Sequence, residues 1–229
     1  MAAQAADGKL ILYIGDKNVS SWSVRGFLAL VEKGLEFEER VIELRKDKDR
    51  RRRREVSPTG KVPVLHHELS GVRCRVIPDS LAIIEYLEET FAPPAWPGLW
   101  PADPDRRAHA RWLAATMHSG FQRLRESMSF NRCFLPKREP ATPEALEEAR
   151  EVLSLWEDAL SRKDRASGSF LVGEFSAADI LFAPVVVRLS AYGAPAGTAA
   201  AAYMRAVLER PSMRRWMDAA RALSPVPDE

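Results

Sequence analysis

Cysteine is nearly missing from this sequence. Cys74 and Cys133 are its only two, far apart and without CxxC spacing. A disulfide-stapled framework and a structural zinc site both need more cysteine than this, so no metal is expected and the natural setting is a reducing one, cytoplasmic. Histidine is equally sparse: His66, His67, His109 and His118 do not fall at ligand spacing. Long apolar runs are absent too. The best candidate, 180–187, is interrupted by Pro184 and stops at Arg188, far short of the roughly 20 apolar residues of a membrane span. The opening Met1 to Lys9 lacks the apolar core of a signal peptide, so no leader and no membrane partner are expected. Charge of one sign is also missing: a net +2 gives no general attraction for a polyanion.

What is present is an ordinary globular composition, 46% hydrophobic and 29% charged, enough to build a core in 229 residues. Residues 10–14 read as a short strand. A polar stretch, 18–23, precedes an apolar segment of helical spacing, 24–31. Residues 37–44 alternate like a half-buried strand, and 62–66 and 73–77 are further strands around a Ser70-Gly71 turn. An amphipathic helix from Leu81 closes the unit. A helix between the first two strands predicts a parallel crossover, and the close later pair predicts an antiparallel hairpin, hence a mixed sheet flanked by helices.

Between 91 and 104 the character changes, with Pro93, Pro94, Pro97, Pro101 and Pro104 interleaved with Trp96 and Trp100. This predicts an ordered linker. Beyond it only helical patterns persist. One covers 106–126, with Ala108, Trp112, Leu113, Ala115, Phe121 and Leu124 on the apolar period. A second covers 143–160, with Thr142 as N-cap and Pro143 at its first position. Others cover 178–189, 199–208 and 212–223. The fold class is therefore α/β followed by all-α, with domains at 1–91 and 105–229 and a linker at 92–104.

Three segments carry chemistry. In Ser57-Pro58-Thr59-Gly60-Lys61-Val62-Pro63-Val64, a proline meets the start of a strand. It is either an ordinary strand-start proline or one that, through a cis Val62–Pro63 bond, turns the Val62 backbone toward a ligand. In Pro78-Asp79-Ser80-Leu81, a helix start offers plain capping or an anion site, with Asp79 able to take an amine beside a bound carboxylate. In Asn18-Val19-Ser20-Ser21-Trp22-Ser23-Val24-Arg25, hydroxyls lie between the first strand and first helix, where a redox protein of thioredoxin type keeps its cysteines. A serine there cannot exchange disulfides, but it can cap the helix, donate a hydrogen bond, or both.

Taken together, these segments resemble the cytosolic glutathione transferase family over roughly residues 9–222, of the serine type, bacterial-like and nearest to the zeta and tau classes. Phe175-Ser176-Ala177-Ala178-Asp179-Ile180 also looks like that family's capping box, a stabilising feature without chemistry. The resemblance implies a thioredoxin-like mixed-sheet domain and a helical C-terminal domain. It also implies glutathione as co-substrate, a small hydrophobic electrophile as second substrate, a homodimer and a detoxification role. On this likeness Ser20 is the catalytic serine, five residues before Arg25, with Ser21 its nearest competitor and Ser23 a distant third. Lys61, Val62, Pro63, Asp79 and Ser80 hold the tripeptide. Met117-His118-Ser119-Gly120-Phe121 is a candidate wall for the electrophile, with His118 read as a buried structural histidine. Trp22 stands where the zeta signature has cysteine, and Val24-Arg25-Gly26-Phe27 replaces its arginine-rich helix start. Both departures weigh against maleylacetoacetate isomerase activity.

The run from Arg45 to Arg54 has eight basic residues but no aromatic among them. It reads as a mobile solvated rim or as an attractant for glutathione's carboxylates, and not as a nucleic-acid surface. Other readings of the same site are a glutathione-dependent isomerase or peroxidase, or a transferase-like regulatory protein without catalysis.

Overall fold

The computed structural model describes residues 8–44, 47–71, 73–162 and 168–224. The leader reading of the N-terminus falls largely outside them, as do Arg45 and Lys46 of the basic run. Two compact units divide between Leu99 and Trp100.

The first unit runs β1 (Lys9–Ile14), α1 (Ser21–Glu32), β2 (Glu38–Val41), α2 (Asp47–Val56), β3 (Val64–Glu68), β4 (Arg75–Pro78) and α3 (Ser80–Thr90). The sheet order is β2-β1-β3-β4, with β1 and β2 parallel and the other pairs antiparallel. This is the mixed sheet that the order of strand and helix patterns predicts. Strand β1 is buried on both faces, which matches its unbroken apolar run. Ile11, Tyr13, Ile42 and Val64 form a core on one face with Val56 of α2 packed against it. Helices α1 and α3 pack on each other and on the sheet. Helix α1 begins at Ser21, three residues before the apolar segment, because the Ser20 side chain caps it. Arg50 to Arg54 lie on α2, exposed except for the half-buried Arg53.

Lys33, at the C-terminal end of α1, is completely buried. Its Nζ donates to the Phe91 carbonyl at 2.8 Å and pairs with the Glu88 carboxylate of α3 at 2.6 Å. Glu88 also accepts the Leu99 N–H at 2.9 Å. One ion pair thus ties α1, α3 and the chain beyond α3 together.

The second unit runs α4 (Pro104–Ser119), α5 (Gln122–Ser127), a 3-10 turn (Asn131–Phe134), α6 (Pro143–Ser161), α7 (Ala177–Ala191), α8 (Thr198–Glu209) and α9 (Pro211–Arg221). Thr142 caps α6 and Pro143 opens it, as the sequence predicts. The single helix expected over 106–126 is broken. Gly120 closes α4 through its N–H to Thr116, and a Cβ there would lie 2.8 Å from the Thr116 carbonyl oxygen. Phe121 then takes a left-handed conformation, φ 57°, and α5 starts afresh. A second correction concerns Trp112, expected in the core. It is 53% exposed and stacks on His109 one turn earlier.

Helix α7 is buried from Ala177 to Leu189 and is therefore the central helix of this unit. Trp156, Phe182 and Tyr203 meet edge-to-face around it, at centroid distances of 5.5 and 5.0 Å. The capping box is present: the Asp179 carboxylate accepts the Ser176 N–H at 2.8 Å, the Ser176 hydroxyl at 3.0 Å and the Leu171 N–H at 3.1 Å. Burial nevertheless pushes the Asp179 carboxyl from 3.8 up to about 6, against the pull of those bonds. A raised acid favours folding most when protonated, and that contribution is lost as pH climbs through about 6. Asp179→Asn removes the titration. Between about pH 4 and about pH 7, the stability of the wild type relative to this variant should fall by up to about 3 kcal/mol, measured by chemical denaturation. A difference that does not change with pH would contradict this.

Among the described residues no helix is long and apolar enough to cross a membrane, and no group of three or more His, Cys, Asp or Glu is placed to hold a metal.

Candidate active site in the sheet unit

Strand register decides which of the chemical segments share one end of the sheet. Tyr13, near the end of β1, pairs with Val64 at the start of β3, and Val64 pairs with Pro78 at the end of β4. The turn after β1, the Val62–Pro63 step before β3 and the Asp79–Ser80 step after β4 therefore emerge at the same end. Three stretches separated in sequence converge because β1 and β4 both run toward the end from which β3 starts.

The turn after β1 is held by Asp16. Its carbonyl accepts the N–H groups of Val19 and Ser20 at 2.9 and 2.8 Å, and its carboxylate accepts the Leu44 N–H at 3.0 Å. Gly15 lets the chain fold this tightly, since a Cβ there would lie 2.6 Å from Leu44 and 2.9 Å from the Ser20 Cβ. Ser20 emerges as the N-cap of α1. Its Oγ accepts the Ser23 N–H at 3.3 Å and lies 2.7 Å from the Ser23 Oγ, which in turn accepts the Gly15 N–H at 3.0 Å. Ser21 is the first residue of α1 and is buried, like Ser20. The sequence ranks Ser23 last of the three serines, yet Ser23 is the one bonded to Ser20. Only the i, i+3 spacing of a capped helix start hinted at that contact.

The Val62–Pro63 peptide bond is cis. Pro63 is buried against α1, where a Cβ on Gly26 would sit 3.1 Å from the Pro63 ring, so glycine at 26 is what admits this approach. Val62 is half-buried and Lys61 is exposed. The preceding turn is organised by Thr59, whose hydroxyl meets Ser57 at 3.0 Å and accepts the Lys61 N–H at 3.2 Å. Gly60 takes φ 66°, and the Arg54 side chain of α2 lies beside it.

Asp79 caps α3, accepting the N–H groups of Leu81 at 2.8 Å and Ala82 at 3.3 Å. It does so at φ 79° and ψ 139°, a region L-residues avoid, at a cost of about 1–3 kcal/mol. Beside it Ser80 is 1% exposed, and its hydroxyl finds no hydrogen-bond partner among the described residues. Ser80 thus carries an unsatisfied buried hydroxyl at the positive end of an eleven-residue helix whose Leu81 and Ala82 N–H groups are already taken by the Asp79 carboxylate.

In the helical unit, the stretch read as a candidate wall is divided. Met117 is fully buried in the core, while His118 and Phe121 are half-buried at the α4–α5 break. Phe121 turns its ring toward Phe182.

The sheet unit, with its parallel β1–α1–β2 crossover and antiparallel β3–β4 pair, is of thioredoxin type with serines in the turn after β1, and a separate helical unit follows it. Residues 19–90 match the family described as glutathione S-transferase, N-terminal domain, and residues 139–219 match its C-terminal domain. The maleylacetoacetate isomerase of Rattus norvegicus is 33% identical over 185 residues, 79% of this chain and 78% of that protein. A probable maleylacetoacetate isomerase of Caenorhabditis elegans is 40% identical over 116 residues, 51% of this chain, and the match spans half of that protein's length. Among solved structures, a glutathione transferase homologue from Burkholderia GL BGR1 with bound glutathione superposes with a TM-score of 0.70 at 30% identity, covering 94% of this chain and all of that one. The chain belongs to the glutathione S-transferase family.

Proposed function

We propose that this chain binds glutathione at the shared end of the sheet and uses its thiolate to attack a small hydrophobic electrophile, with the Ser20 hydroxyl stabilising the sulfur anion. The position of Ser20 supports this most directly: a buried hydroxyl at the positive end of α1, in the turn where thioredoxin-type proteins carry their sulfur. The thiolate is the reacting species, and a free thiol titrates near ~8.5. A hydrogen bond to a charged group contributes about 1.5–3 kcal/mol, and the start of α1 adds ~0.3–1 kcal/mol. The hydroxyl alone lowers the thiol pKa by roughly one to two units and both together by roughly one to three, enough to ionise much of it near neutrality without a general base.

The tripeptide lies with its cysteinyl backbone along Val62 and Pro63 and its γ-glutamyl carboxylate at the start of α3, where the Ser80 hydroxyl receives it. Asp79 takes the amine and Lys61 lies along the tripeptide. The Arg54 side chain beside Gly60 gives this edge a positive border, suited to a ligand with two carboxylates. The glutathione-binding domain covers 1–91 and the helical domain 105–229, with 92–104 as linker.

Conjugation keeps the new carbon–sulfur bond and consumes one glutathione per product. The names of the rat and nematode relatives favour a second reading, in which the thiolate adds to a cis-enone, the carbon–carbon bond rotates, and the thiolate leaves again. Glutathione is then regenerated. The measurement that separates them is the glutathione balance with an aryl halide and with a cis-enone diacid. A transferase consumes it with the halide; an isomerase turns over the enone with none consumed. A chain that passes unretained through glutathione resin and converts neither substrate would contradict both.

A further inference from the structure

Resting on the assignment of Ser20 above, we propose that Ser23 is a positioning residue that fixes which way the Ser20 hydroxyl donates. A hydroxyl has one donor and two acceptor sites. Ser23 Oγ accepts the Gly15 N–H at 3.0 Å, and Ser20 Oγ accepts the Ser23 N–H at 3.3 Å. The remaining contact, 2.7 Å between the two oxygens, needs one of them to donate. If Ser20 donated, its proton would be used inside the turn and none would be left for the sulfur. If Ser23 donates, both acceptor sites of Ser20 are filled and its own proton is forced outward. Arrival of an anionic sulfur selects the second arrangement, because a charge-assisted bond is about twice as strong as a neutral one.

The result is a directed chain: Gly15 N–H to Ser23 hydroxyl, Ser23 hydroxyl to Ser20 hydroxyl, Ser20 hydroxyl to thiolate. Each bond polarises the next. Ser23 is completely buried, so water cannot replace it, and α1 and the turn after β1 hold both ends of the chain. Ser23 itself does not touch the sulfur.

The test is the thiol pKa of bound glutathione, read from thiolate ultraviolet absorbance across pH, in Ser23→Ala, Ser23→Thr, Ser20→Ala and the Ser20→Ala/Ser23→Ala double variant. Ser23→Ala should raise the thiol pKa by about half a unit with the glutathione Kd within about twofold, and the pH profile of kcat/KM should move with it. Ser23→Thr, which keeps the hydroxyl, should restore the wild-type value. In the Ser20→Ala background, Ser23→Ala should add nothing, an outcome that simple loss of packing would not produce. The inference is overturned if Ser23→Ala keeps the wild-type thiol pKa, if Ala and Thr raise it equally, or if Ser23→Ala loses glutathione binding altogether. An unshifted thiol in Ser20→Ala would instead remove the reading of Ser20 on which it rests.

Discussion

Ser20→Ala should lower kcat/KM by about 10- to 100-fold, the loss expected when a single hydrogen bond to a developing or resident sulfur anion, worth about 1.5–3 kcal/mol, is deleted. Glutathione affinity should change little, because in the proposed pose the tripeptide's backbone lies on Val62, its γ-glutamyl carboxylate on Ser80 and its amine on Asp79. A second effect accompanies the first. Ser20 caps α1, and replacing a serine cap with alanine costs about 1 kcal/mol of stability. Ser20→Asp keeps a capping acceptor but brings negative charge beside the sulfur and no proton to donate. That variant should be less active than Ser20→Ala, and the charge at this buried position should also cost stability. If Ser20→Ala were fully active, the sulfur would be held by Ser21 or by backbone N–H groups instead.

The largest expected loss of stability lies far from this chemistry, at Lys33. Its ammonium is completely buried and has two partners, the Glu88 carboxylate and the Phe91 carbonyl. Breaking a buried ion pair by removing one member costs about 3–5 kcal/mol, since the other charge is left without compensation. Lys33→Met should therefore destabilise the protein by that amount, which for a chain of this size lowers Tm by roughly 6–20 °C. Glu88 also holds the Leu99 N–H, so its carboxylate has a remaining partner but not a charged one. Adding Glu88→Gln to Lys33→Met should recover part of the loss by neutralising the orphaned charge. Thermal and denaturant unfolding of the two variants decide this. Equal stability of Lys33→Met and wild type would mean that the pair contributes nothing beyond its apolar stem.

Lys33 also shows where reading the sequence stops. A lysine at the end of a helix looks like a solvated cation favouring the helix dipole. Only packing of α1 on α3 reveals that it is enclosed, and that packing depends on residues 55 positions away. Trp112 is the reverse case. Its helical period places it with Leu113 and Leu124, but periodicity cannot say what covers a face, and Trp112 is left half exposed beside His109. The break at Gly120 and Phe121 was written in the glycine, yet an isolated glycine in a helical pattern is as often tolerated as not.

The sheet unit was more legible because its signals are local. A proline before an apolar strand, an Asp-Ser pair before a helix and hydroxyls after the first strand are each short patterns with a mechanical meaning. Their convergence follows once β1, β3 and β4 are ordered. Hydrogen-bond direction was not legible. That Asp16 shapes the serine turn, that Asp79 caps α3 from a strained conformation, and that Ser23 rather than Ser21 meets Ser20 all depend on backbone geometry that residue types leave open.

In the proposed mechanism, a hydroxyl in the turn after β1 keeps a bound sulfur ionised. Titration of the protein–glutathione complex by thiolate absorbance tests it most directly. The bound thiol should titrate roughly one to three units below the free value of ~8.5 and return most of the way in Ser20→Ala. A bound thiol that titrates at its free value in the wild type, or no complex at millimolar glutathione, would contradict it.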